Sequence, residues 1–397
     1  MSPMAKGRYL VGILALCALV PGTPPHSSPP AARVLACPAV RVTSASAPGG
    51  QSPAWDLPSV PGDLSGVAAR SPGSALAVGV TYPRQRPLLA QWNGAAWRML
   101  GDPALPVKGE LFGAAYFAGG AWAVGERGMA GNGRGSFPLM MRVTGTTVRE
   151  VPIPRTTYGG ILKAVAATSA RNAWAVGNVA TIGGGTGVAL ILHWNGRAWT
   201  RARLPARLAR EDGAVTGVAA TSAANAWVVT NSLFGGGSLP PILHWNGRQW
   251  AKVPSPDLGM SYGLSAVAAT SARDIFAVGY TPRFSARSLL LHWNGRRWAC
   301  AFAVQTVRSK VPGVTLNSVS ASSPGNAWAV GSYFGSADRA VALHWNGRAW
   351  RQVRTRQPGQ SDALQGVAVV PRSGAAWAVG TTVSRTLMSH WNGTAWQ

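Results

Sequence analysis

The sequence predicts an all-β protein: a seven-bladed β-propeller of four-stranded antiparallel blades, with an N-terminal strand helping to close the ring. Three observations predict it. The chain aligns on itself as seven units. Each unit holds runs rich in Val, Ala, Leu and Trp with no competing helical period. Turn signals, above all Asn-Gly, separate the runs.

The chain has 397 residues. It opens "MSPMAKGRYLVGILALCALVPGTPP", with Lys6 and Arg8 before an apolar run from Tyr9 to Val20. A membrane helix needs about 20 apolar residues, so this start reads as a secretory signal cut between Pro21 and Cys37. Leu16 precedes Cys17, and Cys37 lies far beyond the apolar run, which argues against lipid anchoring. The expected division is residues 1–36 as signal and start of a tether, 37–53 as a Pro/Ser/Ala-rich disordered linker, and 54–397 as the propeller. The expected location is extracellular, with no transmembrane span in the mature chain and a monomeric state.

Each unit begins with strand a: "LSGVAARS" from Leu64, "LFGAAYFA" from Leu111, "LKAVAATS" from Leu162, "VTGVAATS" from Val215, "LSAVAATS" from Leu264, "LNSVSASS" from Leu316 and "LQGVAVVP" from Leu364. Strand b follows as "AWAVG" or a close variant, centred on Leu76, Trp122, Trp174, Trp227, Phe276, Trp328 and Trp377. These side chains are expected between neighbouring sheets. Asn172, Asn225, Asp274 and Asn326 precede strand b and are expected to cap the a–b turn.

Strand c ends in Trp-Asn-Gly and strand d starts at the next Trp, as in "ILHWNGRAW" from Ile191. Asn-Gly between apolar strands predicts a two-residue type I′ hairpin at Asn195-Gly196, with Trp194 facing Arg197 and Leu192 facing Trp199. Unit two departs with "MMRVTGTTV", which predicts the least regular outer edge. A single blade cannot cover both of its faces, so the seven must shield one another in a ring. Residues 54–60 are expected to complete the last blade. The alternative is that Trp396 starts that strand itself.

The net charge is +25, carried mostly by Arg spread along the chain rather than clustered. That spread argues for general attraction to surface polyanions over a dedicated nucleic-acid groove. Once a signal is removed, Cys37 and Cys300 remain, and both a disulfide and two separate thiols are open readings.

With these motifs in view, the chain resembles secreted seven-bladed propeller repeat proteins of actinobacteria. Their units read approximately L-x-G-V-A-x-x-S-x-x-D/N-A-W-A-V-G followed by L-x-x-H-W-N-G-x-x-W. The resemblance covers about residues 53–397, is loosely kelch-like, and implies architecture rather than activity. A galactose-oxidase copper-radical site does not carry over, because its Tyr, Cys and His constellation has no counterpart here.

His193, His244, His292, His344 and His390 share one repeat slot, cannot converge on one metal around a ring, and read as structural. No cofactor or metal is expected, and no phosphate-loop, HExxH or GxSxG pattern occurs. A functional site is expected where the repeat breaks down, in the b–c and d–a loops on one face. Ligand-binding candidates there are Tyr82, Arg84, Arg134, Phe234, Arg283, Phe284, Tyr333, Phe334 and Arg339. Catalysis on a glycan would need paired acids, for which that face offers Glu126, Glu211, Asp212, Asp257, Asp338 and Asp362. The reading favoured is a non-enzymatic binding propeller for an extracellular polysaccharide or protein, an anionic one suiting the charge. The alternatives are a glycan-active hydrolase or lyase and a multivalent lectin. A lectin calls for binding residues repeated at blade-equivalent loop positions, and the loops show none.

Overall fold

The computed structural model describes residues 39–41, 60–101, 105, 108–128, 135–180, 187–206, 208, 213–231, 242–258, 262–281, 288–305, 313–333, 339–383 and 385–397; of 39–41 and 301–305 it describes the backbone alone. Two compact units divide the chain at 33/34, and the first lies outside the described residues. No helix among the described residues is long and apolar enough to cross a membrane.

The second unit is seven antiparallel sheets arranged in a ring. A short strand β1 (Ala39–Arg41) precedes them. Blade 1 is β2 (Gly62–Ser71), β3 (Ser74–Thr81), β4 (Arg86–Trp92) and β5 (Trp97–Met99). Blade 2 is β6 (Gly109–Phe117), β7 (Gly120–Arg127), β8 (Phe137–Thr144) and β9 (Thr147–Glu150). Blade 3 is β10 (Gly160–Ser169), β11 (Asn172–Val179), β12 (Val188–Trp194) and β13 (Trp199–Arg201). Blade 4 is β14 (Ala214–Ser222), β15 (Asn225–Asn231), β16 (Ile242–Trp245) and β17 (Trp250–Val253). Blade 5 is β18 (Gly263–Ser271), β19 (Asp274–Tyr280), β20 (Ser288–Trp293) and β21 (Trp298–Gln305). Blade 6 is β22 (Val314–Ser323), β23 (Asn326–Tyr333), β24 (Arg339–Trp345) and β25 (Trp350–Val353). Blade 7 has three strands, β26 (Asp362–Val369), β27 (Ala376–Thr382) and β28 (Arg385–Trp391).

The period of two in strand b sorts its side chains between neighbours. Ala173 and Ala175 pack into the core shared with blade 2, while Trp174 and Val176 pack into the core shared with blade 4. Seven such cores exist, one at each blade–blade seam. The seam between blades 7 and 1 joins Trp377 and Val379 to Leu64, Trp92 and Trp97 and closes the ring.

The blade 7 edge is shared by both ends of the propeller. Trp396 bridges Trp391, and Gln397 and His390 exchange backbone hydrogen bonds of 2.9 and 3.0 Å. At the other end of β28, Pro61 bridges Arg385, and the Thr386 N–H donates to the Val60 carbonyl at 3.4 Å. Residues 54–59 lie outside the described residues.

Three local expectations are corrected. In the Asn-Gly turn, Trp194 pairs with Trp199 and Leu192 with Arg201, which makes a four-residue connection. The Asn195 Oδ1 accepts from the N–H groups of Arg197 and Ala198 at 2.9 and 3.0 Å. Only Gly196 takes a positive φ, of 95°. A side chain that caps two donors keeps Asn in the ordinary region, so a type I′ turn is not needed. Blade 2 does not have the ragged edge expected of it: Thr144 pairs with Thr147 across Gly145, and β9 makes four rungs. Finally, within the segment read as a disordered linker, Ala39–Arg41 forms β1, which pairs parallel with Ala303–Gln305 as a fifth strand on blade 5.

The Gly of "AWAVG" is fixed by the close approach of strand a's backbone at a bulge. Strand a shifts register beside it, between Leu162 and Ala164 in blade 3. A Cβ on Gly177 would lie 2.0 Å from the Ile161 carbonyl oxygen. Gly177→Ala should therefore cost about 1–3 kcal/mol in denaturant melts. Gly325→Ala meets nothing within 4 Å and should be neutral. Trp377→Ala should cost about 3–5 kcal/mol and speed amide exchange first in β2 and β26, the two strands at the closing seam.

Candidate functional site

In a four-stranded meander the a–b and c–d turns share one face, and the close approach of Gly196 to Arg171 shows it here. The Asn, His and Trp polar groups repeated on that face are bound into structure. Asn172 donates to the Thr168 hydroxyl at 2.7 Å and its Oδ1 meets His193 Nε2 at 2.8 Å. His193 in turn lies on Trp174, with ring centroids 4.3 Å apart. The arrangement recurs at Asn225 with His244 and at Asn326 with His344. In blade 5, Asp274 takes the Asn role towards His292 at 2.6 Å. The Trp194 indole N–H donates to the Ala170 carbonyl at 3.0 Å, fastening the c–d hairpin to the a–b turn.

The opposite face carries the b–c and d–a loops and one end of the central channel. The channel is lined by the seven a strands, whose inward position just after the leucine (Val215 in blade 4) reads Ser65, Phe112, Lys163, Thr216, Ser265, Asn317 and Gln365. At the mouth, a cavity of about 380 Å³ spans blades 3 to 6 and is lined by Lys163, Asn178, Thr216, Asn231, Tyr280 and Asn317, among others. Asn178, Asn231 and Tyr280 stand directly after strand b's repeated core. Asn178 braces the rim, donating to the Gly213 carbonyl at 3.1 Å and accepting from the Val215 N–H at 2.9 Å. Asn231 Nδ2 donates to the Tyr280 hydroxyl at 3.0 Å across two blades.

Beside this cavity, blades 1 to 3 bring charge together. Glu110 and Glu126 face each other across one rung of β6 and β7. Ser65 donates to Glu110 at 3.1 Å, and Tyr82 donates to Asp63 at 2.6 Å. The Lys163 ammonium lies 3.5 Å from the Phe112 ring centroid. Burial raises the Glu110 carboxyl above its usual range, which Ser65 and Lys163 partly offset. Burial lowers the Lys163 ammonium, opposed by Glu110 and Glu126. The bond to Asp63, then burial, push Tyr82 up to about 12. Tyr82 is thus a donor at neutral pH and not a base.

Of the residues picked from the sequence, Tyr82 and Glu126 come together around Glu110. Arg84 is exposed in the same turn as Tyr82. Arg339 at the start of β24, and Asp257 in the blade 4–5 linker, are exposed in other sectors. Tyr333, read as an exposed loop aromatic, is instead 5% exposed in the seam between blades 5 and 6, because it continues the inward face of β23. Asp362 is fully buried and accepts from the Gly359 N–H at 3.1 Å, closing its own loop. Arg134, Phe234, Arg283, Phe284, Phe334, Glu211, Asp212 and Asp338 lie outside the described residues.

The channel positions were missed. Their signal lay in the repeat itself, in a column that varies widely between an aliphatic neighbour and a small one, rather than in the loops. Among the described residues, no group of three or more His, Cys, Asp or Glu is placed to hold a metal ion.

No family model and no curated protein matches the sequence. Solved propellers do match in shape. A structure described as YCF48 bound to D1 peptide has TM-score 0.54 at 14% identity, covering 89% of this chain and 99% of its own. The β-propeller domain of Cps50 (Swd1) from Myceliophteria thermophila has TM-score 0.53 at 12% identity, covering 82% and 96%. A polysaccharide lyase of family PL25, an ulvan lyase bound to its saccharide, has TM-score 0.50 at 10% identity, covering 85% and 96%. At these identities the likeness shows the fold alone.

The buried imidazoles make a pH prediction. Burial lowers His193, His244, His344 and His390 below their ordinary 6.5. Just below that value the unfolded chain binds more protons than the folded one. Thermal stability should therefore be level above pH 6.5 and fall as the pH drops below it. His193→Gln should shallow that fall in calorimetric scans.

Proposed function

We propose that this protein is an extracellular binding propeller that takes a polysaccharide or protein ligand on the b–c/d–a face, around the channel mouth, without turning it over. One observation carries the reading. Among the described residues, the exposed large hydrophobics are Tyr82, Met99, Phe137, Tyr158 and Val383, and all sit at strand ends or linkers of that one face. That one-sided distribution supports taking this face, rather than the other, as the binding side. The cavity of about 380 Å³ opens on the same side, with polar amides and a tyrosine hydroxyl suited to sugar hydroxyls or peptide groups.

Export is part of the proposal. Cys300 is disulfide-bonded, which suits an oxidising compartment. The chain's other cysteines, Cys17 and Cys37, lie outside the described residues. We take Cys37 as the partner, because it stands two positions before Ala39, which pairs with Ala303 in the strand that carries Cys300. The positive charge spread over the surface favours a ligand with an acidic exterior.

Polysaccharide and peptide arrays, followed by a product assay on whatever binds, test the reading. Binding should occur without new products, and Asn231→Ala and Tyr280→Phe should weaken it about tenfold with little change in Tm. Turnover abolished by Glu126→Gln would replace this reading with the hydrolase or lyase one, which the opposed Glu110 and Glu126 favour. Binding untouched by both cavity variants would remove the channel mouth from the proposal.

A further inference from the structure

Resting on that binding reading, we propose that the blade 1–3 side of the channel mouth is a socket for one lysine or arginine side chain of a protein partner. Asp63, Glu110 and Glu126 are three of only 12 acids in a chain of net charge +25, yet they fall within two adjacent blades. They answer to one lysine, Lys163, so the socket is acid-rich inside a basic protein.

A second observation points to a missing donor. Glu126 is 1% exposed, and its Oε2 has no hydrogen-bond partner. It stands on the rung opposite half-buried Glu110, whose own bond is to Ser65. A buried carboxylate oxygen without a donor is costly, and an ammonium or guanidinium arriving between the two carboxylates would supply it. The Lys163 ammonium, lying over the Phe112 ring beside these acids, shows that the same surroundings already accept such a group.

Chemistry selects the form of the ligand. A lysine ammonium at the end of a flexible methylene stem can reach recessed carboxylates, whereas an amine carried directly on a pyranose ring cannot extend past that ring. A metal ion is disfavoured by the Lys163 charge and by the lack of a third clustered ligand among the described residues. The basic outer surface then suits a partner whose surroundings are acidic and which offers one basic side chain to the mouth.

Calorimetric titration at low salt tests this with three probes: a blocked pentapeptide with a central lysine, the same peptide acetylated on that lysine, and a glucosamine tetramer. The lysine peptide should bind, and the other two should fail to displace it. Glu110→Gln and Asp63→Asn should each weaken it at least about tenfold; both side chains are partly exposed or at the rim, so their melts should stay near that of the parent. Equal binding of the acetylated peptide, preference for the glucosamine tetramer, or an unchanged affinity in Glu110→Gln would each overturn the socket. Loss of the array ligand in Asn231→Ala with no effect of Glu110→Gln on the lysine peptide would overturn the socket alone. Failure of every array ligand would instead overturn the broader binding reading.

Discussion

Each blade is a thin sheet with two apolar faces, and it is held to the next by a single large side chain from its second strand. Trp122 enters the pair Trp194 and Trp199 of blade 3, with ring centroids 5.1 and 5.2 Å away. Trp174 enters Trp245 and Trp250 in the same way, and Trp377 enters Trp92 and Trp97 of blade 1. The edge-on geometry is the one aromatic quadrupoles prefer. The contact is directional around the ring, and the closing seam uses the same device as most of the others. Where the device is altered, both halves change together. Blade 2 lacks the Trp pair and offers Val143 and Val148, and the residue facing them is Leu76, the one aliphatic side chain in the strand-b slot. A Trp at position 76 would meet a pocket too small for it, and a Leu facing a Trp pair would leave a void.

This interlock also draws unequally on the two faces. Its Trp pair is set by the c–d turn, and the turn is fastened by Asn, His and the a–b carbonyls, so the repeated polar residues of that face are committed to structure. The other face owes the interlock nothing. Strand ends there can change without loosening a seam, and that is where Asn178, Asn231, Tyr280 and the acids of blades 1 and 2 occur. Structural constraint and freedom to vary thus divide along the strand direction.

The architecture was legible because its determinants are local and repeated: alternating Ala and Trp in strand b, Asn-Gly after a Trp, and a unit length that stays between 46 and 53 residues. The hairpin register was not, since Asn-Gly is compatible with more than one loop length. The choice was made by an Asn195 side chain that bonds forward to Arg197 and Ala198. Nor was the inner ring legible as a site. Asp63, Glu110 and Lys163 lie tens of residues apart and meet only because the ring brings successive a strands to one axis. The loop residues attracted attention by their variety, yet Tyr333 shows how a residue beside a variable loop can belong to the core: one more turn of the strand's alternation carries it inward. Glu126 was legible for its charge, whereas Glu110, its partner on the same rung, stands one residue before the repeated run that begins at Leu111 and drew no notice.

The outer rim poses the remaining physical problem, because an unpaired edge strand invites pairing with another chain. Most blades answer it with brevity: β5 and β13 have three residues, and β9, β17 and β25 have four. Blade 5 breaks that rule with the eight-residue β21. It is also the blade against which the chain lays β1, in parallel register, and whose Cys300 is disulfide-bonded. The longest edge is the covered edge. A strand too long to be safe alone is tolerable when a tethered segment of the same chain occupies it, since an intramolecular strand meets that edge at a far higher effective concentration than any neighbour can. The β1 strand thus serves the rim as the tryptophans serve the seams.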